Sequence, residues 1–396
     1  MAKYGKDYDL DDQEIDTQEL SGIIKAEMDD ARDFIDQVGN ERSENTDYYL
    51  GSEPYATSEL QSEYISTDVR DSVLFMLPSI MRTFFGSKKI VEFIPHGPED
   101  IEVAEQQTDY INYVISQKNN GFQVMYNAFK DALVRKSGFV KAYYDEGLTV
   151  TNHSYTGLTP TQRDALLADE EIEVVSEKGE TMSREIYDPQ EQKEITQEIP
   201  LRYDMRIRRV RRNNKVCIDA IPPEEILIAR DARTIETASY VAHRRMMTIS
   251  ELVQMGYEYD EVASFAGGGN YMDPETQIEI QARNPFSDMS GPDRPDNNEV
   301  YYVEHYLNYD LDNDGIDEKI KICTIGEGCN ILDVEPCDHL PIVMFCPDPE
   351  PHTVIGSCPA DYLKPIQAAK SQIMRDSLDS LGHAIFPKIR SSRGPG

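Results

Sequence analysis

No run of apolar residues in this 396-residue chain approaches the roughly 20 that a bilayer-crossing helix requires. The opening residues, MAKYGKDYDLDDQEIDTQEL, also lack a hydrophobic segment, so no secretory signal is expected and synthesis is expected in a cytoplasm. Positive charge is scarce: 39 Lys and Arg stand against 73 Asp and Glu, a formal net charge of −34. Affinity for nucleic acid comes largely from neutralising phosphates, so broad, tight nucleic-acid binding is excluded. The six cysteines (Cys217, Cys323, Cys329, Cys337, Cys346, Cys358) contain no C-x-x-C pair and read as free, mostly buried thiols in a reducing compartment. Cys337 and His339 with Cys346 and His352 can be drawn as a zinc site, but the spacing matches no usual knuckle. The Gly267-Gly268-Gly269 run is followed by no Lys-Ser/Thr, so a phosphate-cradling loop is missing and no cofactor is expected. What is present is 39% hydrophobic and 28% charged residues, ordinary for a globular protein with a real core. A length prior of about 150 residues per domain gives two or three domains.

The most ordered stretch runs from Thr67 to Asp145. Ser66-Thr67-Asp68 can cap a helix in which Val69, Val73, Met76, Ile80, Met81 and Phe84 recur at helical spacing. Pro78 lies inside that pattern and predicts a kink or a break. The chain then extends through Ile90, Glu92 and Ile94, and a second helix starts at about Glu99, with Ile101, Ala104, Thr108, Ile111 and Ile115 on one side. Asn119-Asn120-Gly121 closes it as a left-handed cap does. A third helix buries Phe122, Met125, Tyr126, Phe129 and Leu133, and Phe139 to Tyr144 reads as a strand. Caps and periodicity agree along the whole stretch, which marks a well-specified packed unit.

The order of residues in DVRDSVLFMLPSIMRTFFG, then VEFIPHGPEDIEVAEQQTDYINYV, then NNGFQVMYNAFKDALVRKSGFVKAYY resembles the portal (head-to-tail connector) proteins of short-tailed, podovirus-type bacteriophages. The resemblance implies a subunit of a ring, expected to be a dodecamer, at one capsid vertex of the virion. Double-stranded DNA enters through such a ring during packaging and leaves through it at ejection. It further implies the major capsid protein, a scaffolding protein, a terminase and a tail adaptor protein as partners, and no enzymatic role. A wall that repels the DNA backbone weakly suits a conduit better than one that grips it, which fits the acidity. Acidity that only maintains solubility explains the same charge.

Elsewhere the reading is uneven. Residues 1 to 20 form an acidic arm expected to be mobile or draped over a neighbour. Ile23, Ile24, Met28, Ala31, Ile35 and Val38 make one helical stripe, and this opening helix also resembles that of portal proteins. Between Thr161 and Pro200 twelve acidic residues face four basic ones, which reads as a solvated insertion after a Thr159-capped helix, with a hairpin turning at Lys178-Gly179. Between Leu201 and Val216 the sign reverses. Arg206, Arg208, Arg209, Arg211, Arg212 and Lys215 lie on what reads as a strand pair around an Asn213-Asn214 turn. A phosphate-contacting face for DNA, a terminase contact, or a polar sheet face answering the acidic insertion all fit. The Ala220 to Ile228 segment, with its Pro-Pro-Glu-Glu turn, resembles a portal segment and reads as a turn and a buried strand. His243 reads as a structural strand residue, followed by a Thr248-capped helix that ends at Gly256. Residues 266 to 298, rich in Gly, Pro, Asn and Asp, read as a loop.

Glu299 to Tyr309 and Lys319 to Cys323 read as a hairpin. Asp310, Asp312 and Asp314 with Gly315 match the start of a calcium loop, but Lys321 stands where that loop needs a bidentate acid. A β-turn filled with residues that tolerate left-handed backbone fits as well, and a similar acidic hairpin occurs in the portal family. After a buried strand to Phe345, Pro365 suits the first turn of a last helix. Ile366, Ala369, Ile373 and Leu381 mark one stripe and Met374, Leu378 and Ile385 another, which suits a helix between two ring neighbours or in an ordinary core. This segment resembles the one leading into a portal stem. The family's return stem helix, clip and second wing half are expected beyond Gly396, in a longer protein; a ring built on a shortened plan is the alternative.

The fold expected is α+β, a portal-like wing leading into a stem helix. The division is an acidic arm over 1–20, a helical wing region with its strand over 21–145, and a mixed β/α region over 146–265. A loop over 266–298, a hairpin and buried strand over 299–350 and a stem-directed helix over 351–396 complete it. The competing readings are another tail or collar component, and a metal-dependent enzyme using Asp310 to Asp314 or Cys337 and His339.

Overall fold

The computed structural model describes residues 17–52, 62–87, 89–145, 147–169, 171–188, 193–212, 214–265, 274–284, 299–310 and 315–385. It is mixed helix and sheet, and the chain divides into two units. The first joins Met1–Tyr143, Val216–Ile249 and Asp260–Gly396; the second joins Tyr144–Lys215 and Ser250–Tyr259.

In the first unit, α1 (Thr17–Leu50) buries Leu20, Ile24, Met28, Ala31 and Ile35, the stripe that its three- and four-residue spacing dictates. That stripe lies on one face of an antiparallel sheet of β6 (Ile226–Ile228), β7 (Tyr240–Thr248), β8 (Glu299–Tyr309), β9 (Glu318–Ile325) and β10 (Asn330–Pro336), ordered β10-β9-β8-β7-β6. The opposite face packs Ile226, Ile228, Val241 and Tyr306 on Phe139, Ile221 and Ile342. Those three belong to a second sheet of β1 (Gly138–Asp145), β5 (Lys215–Ile221) and β11 (Ile342–Phe345), ordered β11-β1-β5. Covering on both sides explains why eight consecutive residues of β8, Val300 to Leu307, are buried.

Several polar groups inside this stack are matched. His305 Nδ1 lies 2.8 Å from Tyr240 Oη and its Nε2 2.8 Å from Thr324 Oγ1. On the other face Lys141 Nζ reaches Glu304 Oε2, which also accepts from Tyr306 Oη at 2.9 Å.

Next to the sheets, α2 (Asp68–Phe85) packs Val73, Leu77 and Met81 on Phe129, Leu133 and Val134 of α4 (Gly121–Arg135). The chain stays helical across Pro78, because that residue faces solvent and water can take the carbonyl it strands. The extended stretch after α2 is stitched to α3 (Ile101–Tyr113) by side chains. Asn112 Oδ1 accepts from Ile90 N at 2.6 Å, and Thr108 Oγ1 accepts from Phe93 N at 3.0 Å. Asn120, at φ 47°, makes the left-handed turn into α4.

In the second unit, β2 (Leu148–Leu158), β3 (Ile172–Asp188) and β4 (Lys193–Arg212) form an antiparallel sheet ordered β2-β4-β3. The short helix α5 (Pro160–Leu167) lies on β4, and a Thr159/Gln162 capping box opens it. Thr159→Ala is expected to destabilise this helix by about 1 kcal/mol, read as a loss of local amide protection by hydrogen exchange. Strand β3 runs straight through Lys178-Gly179, so no turn sits there; Gly179 pairs with Tyr203 within the ladder. Nor do Asn213-Asn214 join a strand pair, because β4 pairs with β2 and β3 whereas β5 pairs with β1. The helices α6 (Ile249–Gln254) and α7 (Tyr259–Ala263) follow β7, and Gly256, at φ 110°, comes after the first of them.

The 266–298 loop reading is corrected by α8 (Pro274–Arg283), which packs on α1. Its docked face is polar, and that is why apolar periodicity missed it. Arg244 Nη2 donates to Thr276 Oγ1 at 2.6 Å, and Arg283 reaches Glu224 at 2.7 Å and Asp131 at 3.0 Å. Arg42 lies 3.8 Å from Glu279, whose carboxyl burial pushes above its ordinary value. Glu279 fits because Gly39 in α1 has no side chain; a Cβ there would sit 2.3 Å from Glu279 Oε1. Gly39→Ala gains about 1 kcal/mol of helix propensity and loses about 1–3 kcal/mol to crowding, so a net loss is expected. In a Glu279→Ala background the same change is expected to stabilise, and urea unfolding of the four proteins of that cycle measures the reversal.

Candidate assembly and nucleic-acid surfaces

The last helix, α9 (Pro359–Ile385), begins six residues before Pro365, which lies inside it on the solvent side. Its amphipathicity is inverted. The inward face carries Gln367, Ser371 and Arg375, which are 2%, 1% and 7% exposed, whereas Ile373, Leu381 and Ile385 are 65%, 58% and 67% exposed. Ile366, Met374 and Leu378 are exposed as well. Within the chain, therefore, neither apolar stripe is core.

The polar face is spent on the backbone of residues 62–67, a strap leading into α2, and on Val69 in the first turn of α2. Ser62 N donates to Asp379 Oδ1 at 2.9 Å, and Arg375 Nε donates to Tyr64 O at 2.9 Å. Ser66 N donates to Ser371 Oγ at 3.0 Å, and Val69 N to Gln367 Oε1 at 2.9 Å. Gln367 Nε2 also donates to Tyr48 O at 3.0 Å. Thr67 makes no side-chain cap for α2, contrary to the sequence reading, and Gln367 takes the first-turn N–H instead. Helix positions four apart meet strap positions two or three apart, running antiparallel. For the rungs at 62, 64 and 66 the match is geometric, since four helical residues rise about 6 Å and two extended residues about 6.6 Å, and the fourth rung falls inside α2. A groove of about 900 Å³ opens beside the start of α9, lined by Phe75, Met76, Ile80, Phe345 and Tyr362, with Phe75 itself 83% exposed.

The basic residues read from sequence fall into two sets. Strand alternation puts Arg209 and Arg211 on the face of β4 that buries Met205 and Ile207 and carries α5. There Arg209 pairs with Asp169, and Arg211 with Glu171 at 2.7 Å, residues of the acidic insertion. These hydrogen bonds hold the Asp169 carboxyl below its ordinary value and raise the Arg211 guanidinium. Lys215 lies 3.8 Å from Asp145. Arg206, Arg208 and Arg212 occupy the other face, exposed, and no carboxylate among the described residues is within ion-pair distance of them. Their cross-strand neighbours include Ser154 and Ser176 for Arg206, and Asn152 and Glu173 for Arg208. Arg202, also exposed, extends this face by alternation.

Asp310 Oδ2 accepts from Gly315 N at 2.8 Å, as a turn-closing carboxylate does, while Asp312 and Asp314 lie outside the described residues. Cys337 Sγ contacts the backbone of His339, and no group of three or more His, Cys, Asp or Glu among the described residues is placed to hold a metal. No described helix is long and apolar enough to cross a membrane.

A family model described as the phage SU10 portal protein matches residues 20–394 of the chain. The chain belongs to this portal protein family. No curated protein sequence matches it. As a member of a structural family of phage portal proteins, it has its functional surfaces where it meets other molecules. Among the described residues of this portal-family chain, the outward α9 face and the outer face of β4 are two surfaces whose chemistry is left unused. The sequence missed the strap ladder, although polar residues at 367, 371, 375 and 379 repeat every four positions between the apolar stripes.

Proposed function

We propose that copies of this portal-family chain close into a ring, a dodecamer, at one vertex of a phage capsid, with α9 at the contact between neighbours. Duplex DNA passes through the ring during packaging and ejection. The major capsid protein, scaffolding protein, terminase and tail adaptor protein dock around it. The observation that carries this reading is the inverted α9. Contiguous exposed apolar stripes on a helix whose polar face is already occupied are what a subunit contact requires. Negative-stain images of the purified protein are expected to show an annulus with a central hole; a lone globule in solution and in the virion would overturn the proposal.

Within that ring, the free face of β4 is proposed as a contact for DNA phosphates, through Arg206, Arg208 and Arg212. Reversing all three to glutamate is expected to weaken binding of duplex DNA and to reduce the log–log salt slope by about 3, at roughly 0.9 per phosphate contact. Arg209→Gln with Arg211→Gln should change the slope far less, because Asp169 and Glu171 already occupy those guanidiniums. An unchanged slope in the triple variant together with lost terminase binding assigns the face to terminase instead.

A further inference from the structure

An isolated helix with exposed isoleucines would ordinarily roll them onto the body that carries it. In α9 that roll is blocked. Turning the apolar stripes inward would strip partners from the buried Gln367 and Ser371, and from the amides of Ser66 and Val69 that they satisfy. Ala360 and Cys358 anchor the start of the helix in a small apolar cluster with Tyr48 and Val69. Beyond Gln367 the buried side chains of α9 are Ser371 and Arg375, both bonded to the strap, and Asp379 adds a further rung.

We propose that the strap 62–67, with the first turn of α2, is a rotational key for self-association. Its ladder to Gln367, Ser371, Arg375 and Asp379 sets the roll of α9 and so presents Ile366, Ile373, Leu378 and Leu381 to a second copy of this chain. Over residues 62–67 the recognition is of backbone by side chain, so there it depends on register; at the start of α2 one side-chain pair, Lys370 Nζ with Asp68 Oδ1 at 2.6 Å, adds to it. The inference rests on the ring reading above, since it assigns the control of the same surface.

The test separates the two. Gln367→Leu with Ser371→Ala breaks two of the four rungs, those at Val69 and Ser66, and leaves the outward stripes untouched. Ile373→Asp with Leu381→Asp destroys the stripes and leaves the rungs intact. Sedimentation velocity reads association, circular dichroism with thermal melting reads the fold, and hydrogen exchange at Ser66 and Val69 reads the ladder. The rung variant is expected to stay folded, to exchange both amides at least about tenfold faster, and to associate at least about tenfold more weakly. Fast exchange with undiminished association would overturn the key while leaving the ring reading standing. Undiminished association of the stripe variant would overturn both. Should the rung variant fail to fold, a lock replaces it: Ser66→Cys with Ser371→Cys, oxidised. Holding the strap in place is expected to preserve association, and loss of association in the oxidised, folded protein would overturn the key.

Discussion

Lys141→Met is expected to lower the unfolding free energy by about 3–5 kcal/mol, the scale set by leaving a buried charge without its partner. Lys141 and Glu304 are both about nine-tenths buried or more, between the five-stranded sheet and β1. Burial alone would raise the Glu304 carboxyl, but Lys141, with His243 and Arg245 nearby, holds it at about 2. Without the ammonium, Tyr306 Oη still donates to Glu304 Oε2 and Arg245 lies 3.8 Å away, too few contacts to hold a charge there cheaply. Lys141→Met with Glu304→Leu removes both charges and is expected to recover most of the loss, because well-packed apolar pairs often match buried ion pairs. Urea unfolding of the two single variants and the double one measures the coupling; two losses that simply add would show that the pair does not act as a unit.

Acidification is expected to destabilise the same sheet in two steps. Burial pushes His305 down to about 3 from 6.5, against the smaller pull of Glu304. The unfolded chain therefore takes up this proton first. The stability it represents is complete above pH 6.5 and is lost as pH falls from 6.5 toward 3, in total about 4–5 kcal/mol at roughly 1.4 kcal/mol per tenfold change. Glu304, at about 2 against an ordinary 4.5, adds a second loss that begins below pH 4.5. Burial raises Glu279, and that group opposes the trend when it protonates. Between pH 7 and 4.5 the histidine and the raised Glu279 both contribute, and the difference between parent and His305→Gln curves isolates the histidine. His305→Gln is expected to flatten that limb whatever it does to stability at neutral pH. A limb as steep in the variant as in the parent would place the acid sensitivity elsewhere.

Sequence pattern was informative where burial follows apolar spacing. The stripe of α1, with Val69, Val73 and Met81 of α2 and Phe129 and Leu133 of α4, is of that kind, since apolar area removed from water decides which face turns inward, whereas Phe84 and Phe122, expected on the same stripes, are exposed. It failed where polar contacts decide. Thr276, Glu279 and Arg283 dock α8 through hydrogen bonds and ion pairs, so no apolar period announced a helix. The spacing of Ile366, Ile373 and Leu381 was visible, but only the rungs to the strap show that those residues face outward. Strand pairing was opaque for another reason. Alternation identifies Arg206 to Arg212 as a strand, yet the choice between β2 and β5 as its neighbour depends on residues far along the chain. Within β4, the same alternation divides the arginines into paired and unpaired sets once the positions of Asp169 and Glu171 are known.

The antiparallel course of the strap along α9 has a mechanical corollary. A pull along the helix axis loads the rungs at Ser62, Tyr64, Ser66 and Val69 together, in shear, whereas a sideways pull would peel them one after another. Axial tension on the far end of α9 is thus shared across the array and delivered, through Gln367, to the first turn of α2. The joint is stiff along the helix axis and yielding in the direction at right angles.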